Sequence, residues 1–238
     1  VCPYNSYPCN LELGLERRKL EALTVKIQRQ FGVSPLIYKA GRYGLGVDRE
    51  SMLVELGYQV DTSVMPYRDF TGLGGGPNFF GYPDGPFWTS PERRLFYLPV
   101  DQSLVGPLRS VGHGRFGQFI FGRLSSRFHL PGILARFRLL ERIMLTPEGV
   151  SLAELCRLVD CRMRAGQRIF ALSLHSPSFM PGGTPYTRDV HDLEVLTSKI
   201  EYFLSYFFSR LNGGVIDPIT LGKSLRDMSL PITPHSAI

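Results

Sequence analysis

The chain has 238 residues, 43% of them hydrophobic and 20% charged, with 27 Lys and Arg against 21 Asp and Glu and a pI near 9.3. That mix excludes a disordered or fibrous chain and suits one large domain with a sizeable core. The basic residues are scattered (Arg17-Arg18-Lys19, Arg93-Arg94, Arg136, Arg138) with no stripe of interleaved aromatics, so no nucleic-acid partner is expected.

No window approaches the roughly 18 uninterrupted apolar residues of a membrane helix, so no membrane span is expected. The cysteines are Cys2, Cys9, Cys156 and Cys161, and none forms a CxxC pair. A Cys2–Cys9 disulfide is compatible with the spacing, whereas Cys156 and Cys161 point to different faces of a helix. This usage, with no targeting segment in view, makes a cytoplasmic, reducing location the expectation.

Helix and strand signals alternate along the chain. Residues 15–30 place Leu20, Leu23 and Ile27 at helical spacing. "SPLIYK" predicts a short strand entering the Gly-rich turn "AGRYGLG", and Asp48 is placed to cap a helix that runs to Leu56 and stops at Gly57. "YQVDTSV" and "RLFYLPV" predict two more strands, separated by residues 67–93, a stretch dense in Gly, Pro and aromatics. A connection that long predicts a functional insertion or lid, its rings suited to stacking on sugars or to local packing. Residues 101–140 carry no regular pattern.

Ser151 and Glu154 stand at capping-box spacing before a helix over 151–165 that ends at Gly166. "RIFALSLH" predicts a buried strand, followed by a loop over 177–186 rich in Pro and Gly. Residues 192–211 form an amphipathic helix closed by Asn212-Gly213, "GVIDP" a last short strand, and 219–227 a last helix. Repeated helix–strand units with no linker predict a single α/β domain over 1–238, with parallel strands that curl toward a (β/α) barrel.

In such folds the strands' C-terminal ends carry the chemistry. Lys39 and Arg42 follow "LIY", Asp61 lies in "YQVDTSV", and His175 follows "FALSL". A cation, a carboxylate and an imidazole at neighbouring strand ends predict one pocket. The glycines of "GRYGLG" do not fit a dinucleotide fingerprint, because the spacing is wrong and no acid follows at the right distance. There is no G-x-S-x-G elbow for a serine nucleophile. His113, in "VGHGR", is a further candidate ligand, whereas His129, His191 and His235 suit the surface.

"YKAGRYGLG", "LGYQVDTSVMPY", "GGPNF", "LFYLPV", "RIMLTPEGVSL" and "FALSLHSPSFMPGGTPY" resemble, in that order, bacterial polysaccharide deacetylases of the chitin-deacetylase-like esterase superfamily. The resemblance covers about residues 1–226. It implies a distorted (β/α) barrel that removes acetyl groups from a carbohydrate with a divalent metal, commonly zinc. It also implies His175 as the acid that protonates the leaving group, and Arg42 or Lys39 as the cation that orients the base. Asp61 would support the acid or the pocket.

The family's Asp-Asp strand end, which supplies the base and a metal ligand, has no counterpart: no Asp-Asp pair occurs in the sequence. "VCPYNSYPC" aligns with part of its paired-His motif, which puts Cys2 where a His ligand is expected. Two expectations stay open. Either the chain is the C-terminal part of a longer deacetylase that lacks the first strand or strands, as the Val start favours, or it is a degenerate member that binds carbohydrate or a protein partner.

Overall fold

The computed structural model describes residues 2–46, 48–122, 128–228, 230 and 232. Three short apolar runs pair in parallel: β1 (Ile37–Tyr38), β2 (Val60–Asp61) and β3 (Phe96–Tyr97), in the order β1-β2-β3, with Ile37 opposite Val60 and Val60 opposite Phe96. Parallel strands need a crossover between them. The first crossover carries α2 (Glu50–Glu55), and the second is the long insertion before β3. Ahead of β1 lies α1 (Leu13–Phe31), started by the Glu12 carboxylate on the amides of Gly14 and Leu15 and ended by Gly32 at φ 72°. A left-handed C-terminal position is what glycine permits at least cost.

The helix α1 meets the sheet differently from its apolar spacing. Leu20 is buried, but Leu23 is 53% exposed, and the buried face continues instead through Glu16, whose carboxylate takes the Arg49 guanidinium at 2.7 Å. Arg49 also reaches the carbonyls of Cys9 and Leu11, and it stands at the N-cap of α2 where Asp48 was expected. No side chain caps that helix.

The segment without a sequence pattern holds an antiparallel hairpin, β4 (Gln102–Val105) and β5 (Glu141–Met144), with α3 (Gly114–Phe121) and α4 (Leu130–Arg136) in its connection. Gly106 turns out of β4 at φ 123°, and a side chain there would run into the backbone of Leu139. Helix α5 (Leu152–Arg164) packs behind the hairpin and carries the expected capping box between Ser151 and Glu154. Helix α6 (Val190–Ser205) starts from Asp189 and runs into a π-turn over Tyr206–Arg210, and α7 (Pro218–Leu225) is capped by Asp217.

Two expected strands are not strands. "RIFALSLH" joins no ladder among the described residues: it lies half-buried, held by Ala171 N–H on Asp101 Oδ2 and by Ser173 N–H on the Leu145 carbonyl. "GVIDP" is irregular, with Val215 86% exposed. The mixed α/β class and the parallel pairing stand, but the described strands form an open three-stranded sheet and a separate hairpin, with no closed barrel among them. Single backbone bonds carry the arc further, from Val100 N–H to Val64, from Leu145 N–H to Asp101, and from Ser173 N–H to Leu145.

Within residues 67–93 most of the aromatic rings turn inward and pack, while the backbone between them stays largely at the surface. Phe70, Phe79, Tyr82 and Phe87 are buried together with Tyr97, and Phe87 stacks on Tyr97 with centroids 4.9 Å apart. Arg162 ties this insertion to α5. Its Nη1 stands 3.1 Å from Asp101 Oδ1 and 3.4 Å from Asp84 Oδ2, the Asp101 contact being an ion pair out of hydrogen-bond alignment. Asp84 accepts from Tyr67 at 3.0 Å and from Ser103 at 2.6 Å, so a polar network rather than a hinge holds the insertion down.

Candidate functional site

The turn after β1 leaves the ordinary backbone regions. Arg42 and Tyr43 both have positive φ, 55° and 60°, at a cost of about 1 kcal/mol or more each for non-glycine residues. The surroundings fix this conformation from two sides. Arg42 donates to Ser6 and to the Tyr7 hydroxyl and lies 4.4 Å over the Tyr7 ring, while Cys9 N–H donates to the Gly44 carbonyl at 2.9 Å. From below, the Ala40 amide donates to Ser63 Oγ at 2.7 Å, and Ser63 in turn donates both its amide and its hydroxyl to Asp61.

That last contact defines Asp61. It is wholly buried and lines neither cavity at the strand ends, so it is a support under the turn and not a pocket carboxylate as expected. Burial pushes its carboxyl up to about 7, against the two hydrogen bonds from Ser63.

Lys39, Arg42 and His175 do come together, lining one cavity of about 550 Å³ with Tyr43, Met144 and Glu148. A second cavity of about 470 Å³ adjoins it, shares Tyr43, Met144, Glu148 and His175, and is walled further by Arg68, Arg142, Gln102 and Tyr186. Lys39 Nζ stands 5.2 Å from the Tyr43 ring, and burial lowers its amine below the usual range. Tyr186 brings the end of the Pro- and Gly-rich loop into the wall, as expected of that loop.

The decisive residue is Glu148, which follows the Leu145 backbone link to the sheet. Its Oε2 meets His175 Nδ1 at 2.7 Å, its Oε1 accepts the His175 amide at 3.0 Å, and it also accepts from the Ser178 hydroxyl. Burial alone would push this carboxyl up, but the Ser178 and His175 donors together hold it below the ordinary glutamate value. An anionic acceptor at Nδ1 places the neutral ring's proton on Nδ1 and leaves Nε2 outward. The imidazole itself is 66% exposed, so it can meet a ligand in either cavity. Sequence reasoning assigned Glu148 no role. The available signal was an acid in a Pro-Glu-Gly turn shortly after the apolar run Ile143-Met144-Leu145.

The metal expectation finds no counterpart in the donor set. Among the described residues no group of three or more His, Cys, Asp or Glu comes together to hold an ion. Cys2 is an exposed free thiol whose Sγ accepts the Asn5 amide, and the other three cysteines are free as well. His113 accepts or donates at Tyr67 OH, 3.2 Å away, outside both cavities. His129 and His191 are exposed, and His235 lies outside the described residues. No described helix is long and apolar enough to cross a membrane.

A third cavity, about 370 Å³ between residues 168–172 and residues 203–221, is lined mainly by apolar side chains, with Arg168 its one charged residue. No protein-family model matches the chain, and no curated protein or solved structure shows a significant match to it.

Proposed function

We propose that the chain carries the proton-donating side of a saccharide deacetylase, a hydrolase that removes acetyl groups from a poly- or oligosaccharide. The observation that supports this most is the Glu148–His175 pair, opening onto the cavity that Lys39 and the Arg42 turn also line. A general acid must be aimed and solvent-reachable, and Glu148 does the aiming here. The order of the backbone links from β1 through Leu145 to Ser173 supports a distorted barrel whose mouth gathers these residues.

In hydrolysis the carbonyl carbon of the acetyl group gains a bond to water oxygen and loses its bond to the sugar nitrogen or oxygen. His175, doubly protonated with its Nδ1–H on Glu148, then gives its Nε2 proton to that leaving atom, the attacking water's own proton passes to solvent, and acetate departs. Lys39 is placed to steady developing negative charge at the same mouth. Arg42 is engaged by Ser6 and Tyr7 and acts as a positioning residue for the turn. The resemblance assigns the base and one metal ligand to an Asp-Asp strand end that the sequence does not contain and the other ligands to a paired-His motif, and the described side chains bring together no such set.

A second reading, a module that keeps the fold and binds saccharide without turnover, is favoured by that same donor set. Acetate release from acetylated oligosaccharides distinguishes the two, measured on this chain and on the longest reading frame containing it. Release that falls in His175→Ala supports the hydrolase, and saccharide binding with no release from either protein supports the module.

A further inference from the structure

The cavity beside the Glu148–His175 pair is lined by acids and bases that differ in how they are partnered. Three carboxylates line the cavity of about 470 Å³, and each is engaged: Glu141 with Arg157, Glu148 with His175 and Ser178, Glu154 with Ser151. Two guanidiniums line it with no carboxylate partner among the described residues, Arg68 and Arg142. Arg142 donates to the Tyr67 carbonyl at 2.6 Å and lies 4.6 Å over the Phe121 ring, which leaves the rest of its fork unused. Burial, with Arg68 close by, disfavours its charge. A desolvated cation without a counter-ion is costly unless something anionic arrives to pair with it.

We propose that Arg68 and Arg142 form an anion subsite, so that the saccharide taken by this cavity is acidic and bears a carboxylate or sulfate group near the residue presented to His175. The inference rests on the saccharide reading of the site above. A guanidinium fork suits an oxyanion by two parallel hydrogen bonds, and a cavity of this size holds one or two sugar rings. Tyr43 and Met144, which also line this cavity, offer apolar surface for the ring faces.

The test is calorimetric titration of the chain with three probes: an acetylated trisaccharide containing glucuronate, its carboxyl-reduced counterpart, and a sulfated analogue. At least one acidic probe is expected to bind roughly tenfold or more tightly than the neutral one, with the preference weakened at high salt. Arg142→Gln is expected to abolish the preference. Because Arg142 also holds the Tyr67 carbonyl, the exposed Arg68→Gln serves as the second variant, expected to reduce the preference with an unchanged melting temperature.

Equal affinity for neutral and acidic probes, no binding of any probe, or a preference that survives both substitutions overturns the subsite. Acetate release is scored separately. Preference without release leaves the subsite standing and removes the deacetylase reading, whereas release at equal KM from neutral and acidic probes does the reverse.

Discussion

Glu148 Oε2 and His175 Nδ1 lie 2.7 Å apart although 27 positions separate them in the chain, and the same carboxylate also accepts the His175 amide. The imidazole is thereby held at both its ring and its backbone by one side chain. Glu148→Ala is expected to release the ring, moving neutral His175 toward the Nε2–H tautomer. Nitrogen-15 NMR of the imidazole checks this, and an unchanged tautomer would remove Glu148 from the orienting role. Acetate release, where present, is expected to fall by about 10²–10⁴ in His175→Ala.

The acid limb of stability should carry the mark of Glu148. Its folded carboxyl titrates below the ordinary value of 4.5, so the unfolded chain binds the proton more readily. Its contribution is present above about 4.5 and is lost as pH falls through the lower, folded value. Glu148→Gln is expected to flatten that loss in urea titrations run at successive acid pH values.

Asp61 works with the opposite sign. Its carboxyl is raised from 3.8 to about 7, so the folded chain holds a proton that the unfolded chain releases. Its contribution is full below about 3.8 and declines as pH rises to about 7, with a slope of at most about 1.4 kcal/mol per pH unit. Asp61→Asn keeps the acceptor for Ser63 N–H and removes the titration. The variant is expected to gain on the parent protein as pH rises through that window, and parallel pH profiles of the two would refute the burial argument.

If the rings of residues 67–93 serve as core, truncating them should cost stability and spare ligand contacts. Phe79 is fully buried against Phe70 and Tyr82. Phe79→Ala is expected to cost about 3–5 kcal/mol in denaturant unfolding. A stable Phe79→Ala that had lost saccharide affinity alone would restore the lid.

Ser151 bonds Glu154 N–H, and Glu154 returns a bond to the Ser151 amide. Ser151→Ala is expected to cost about 1 kcal/mol, read as a lower urea midpoint at unchanged slope.

What the amino-acid order determined by itself was local. The capping box at Ser151, the closure near Asn212, and the three runs that become β1, β2 and β3 depend on residues a few positions apart, and short-range periodicity reports such contacts directly. Lys39, Arg42 and His175 do line one cavity, but only Lys39 and Arg42 follow a parallel strand, and His175 reaches it on a segment that pairs in no ladder among the described residues. Only the tertiary structure decided that Asp61 stays outside that cavity and that Glu148 lines it. Leu23 faces water while Glu16 goes inside, and the rings of 67–93 fill the core, for the same reason. Burial and pairing between remote segments follow from register and from which surfaces meet, and an isolated acid or ring in a turn carries no periodic signal of either.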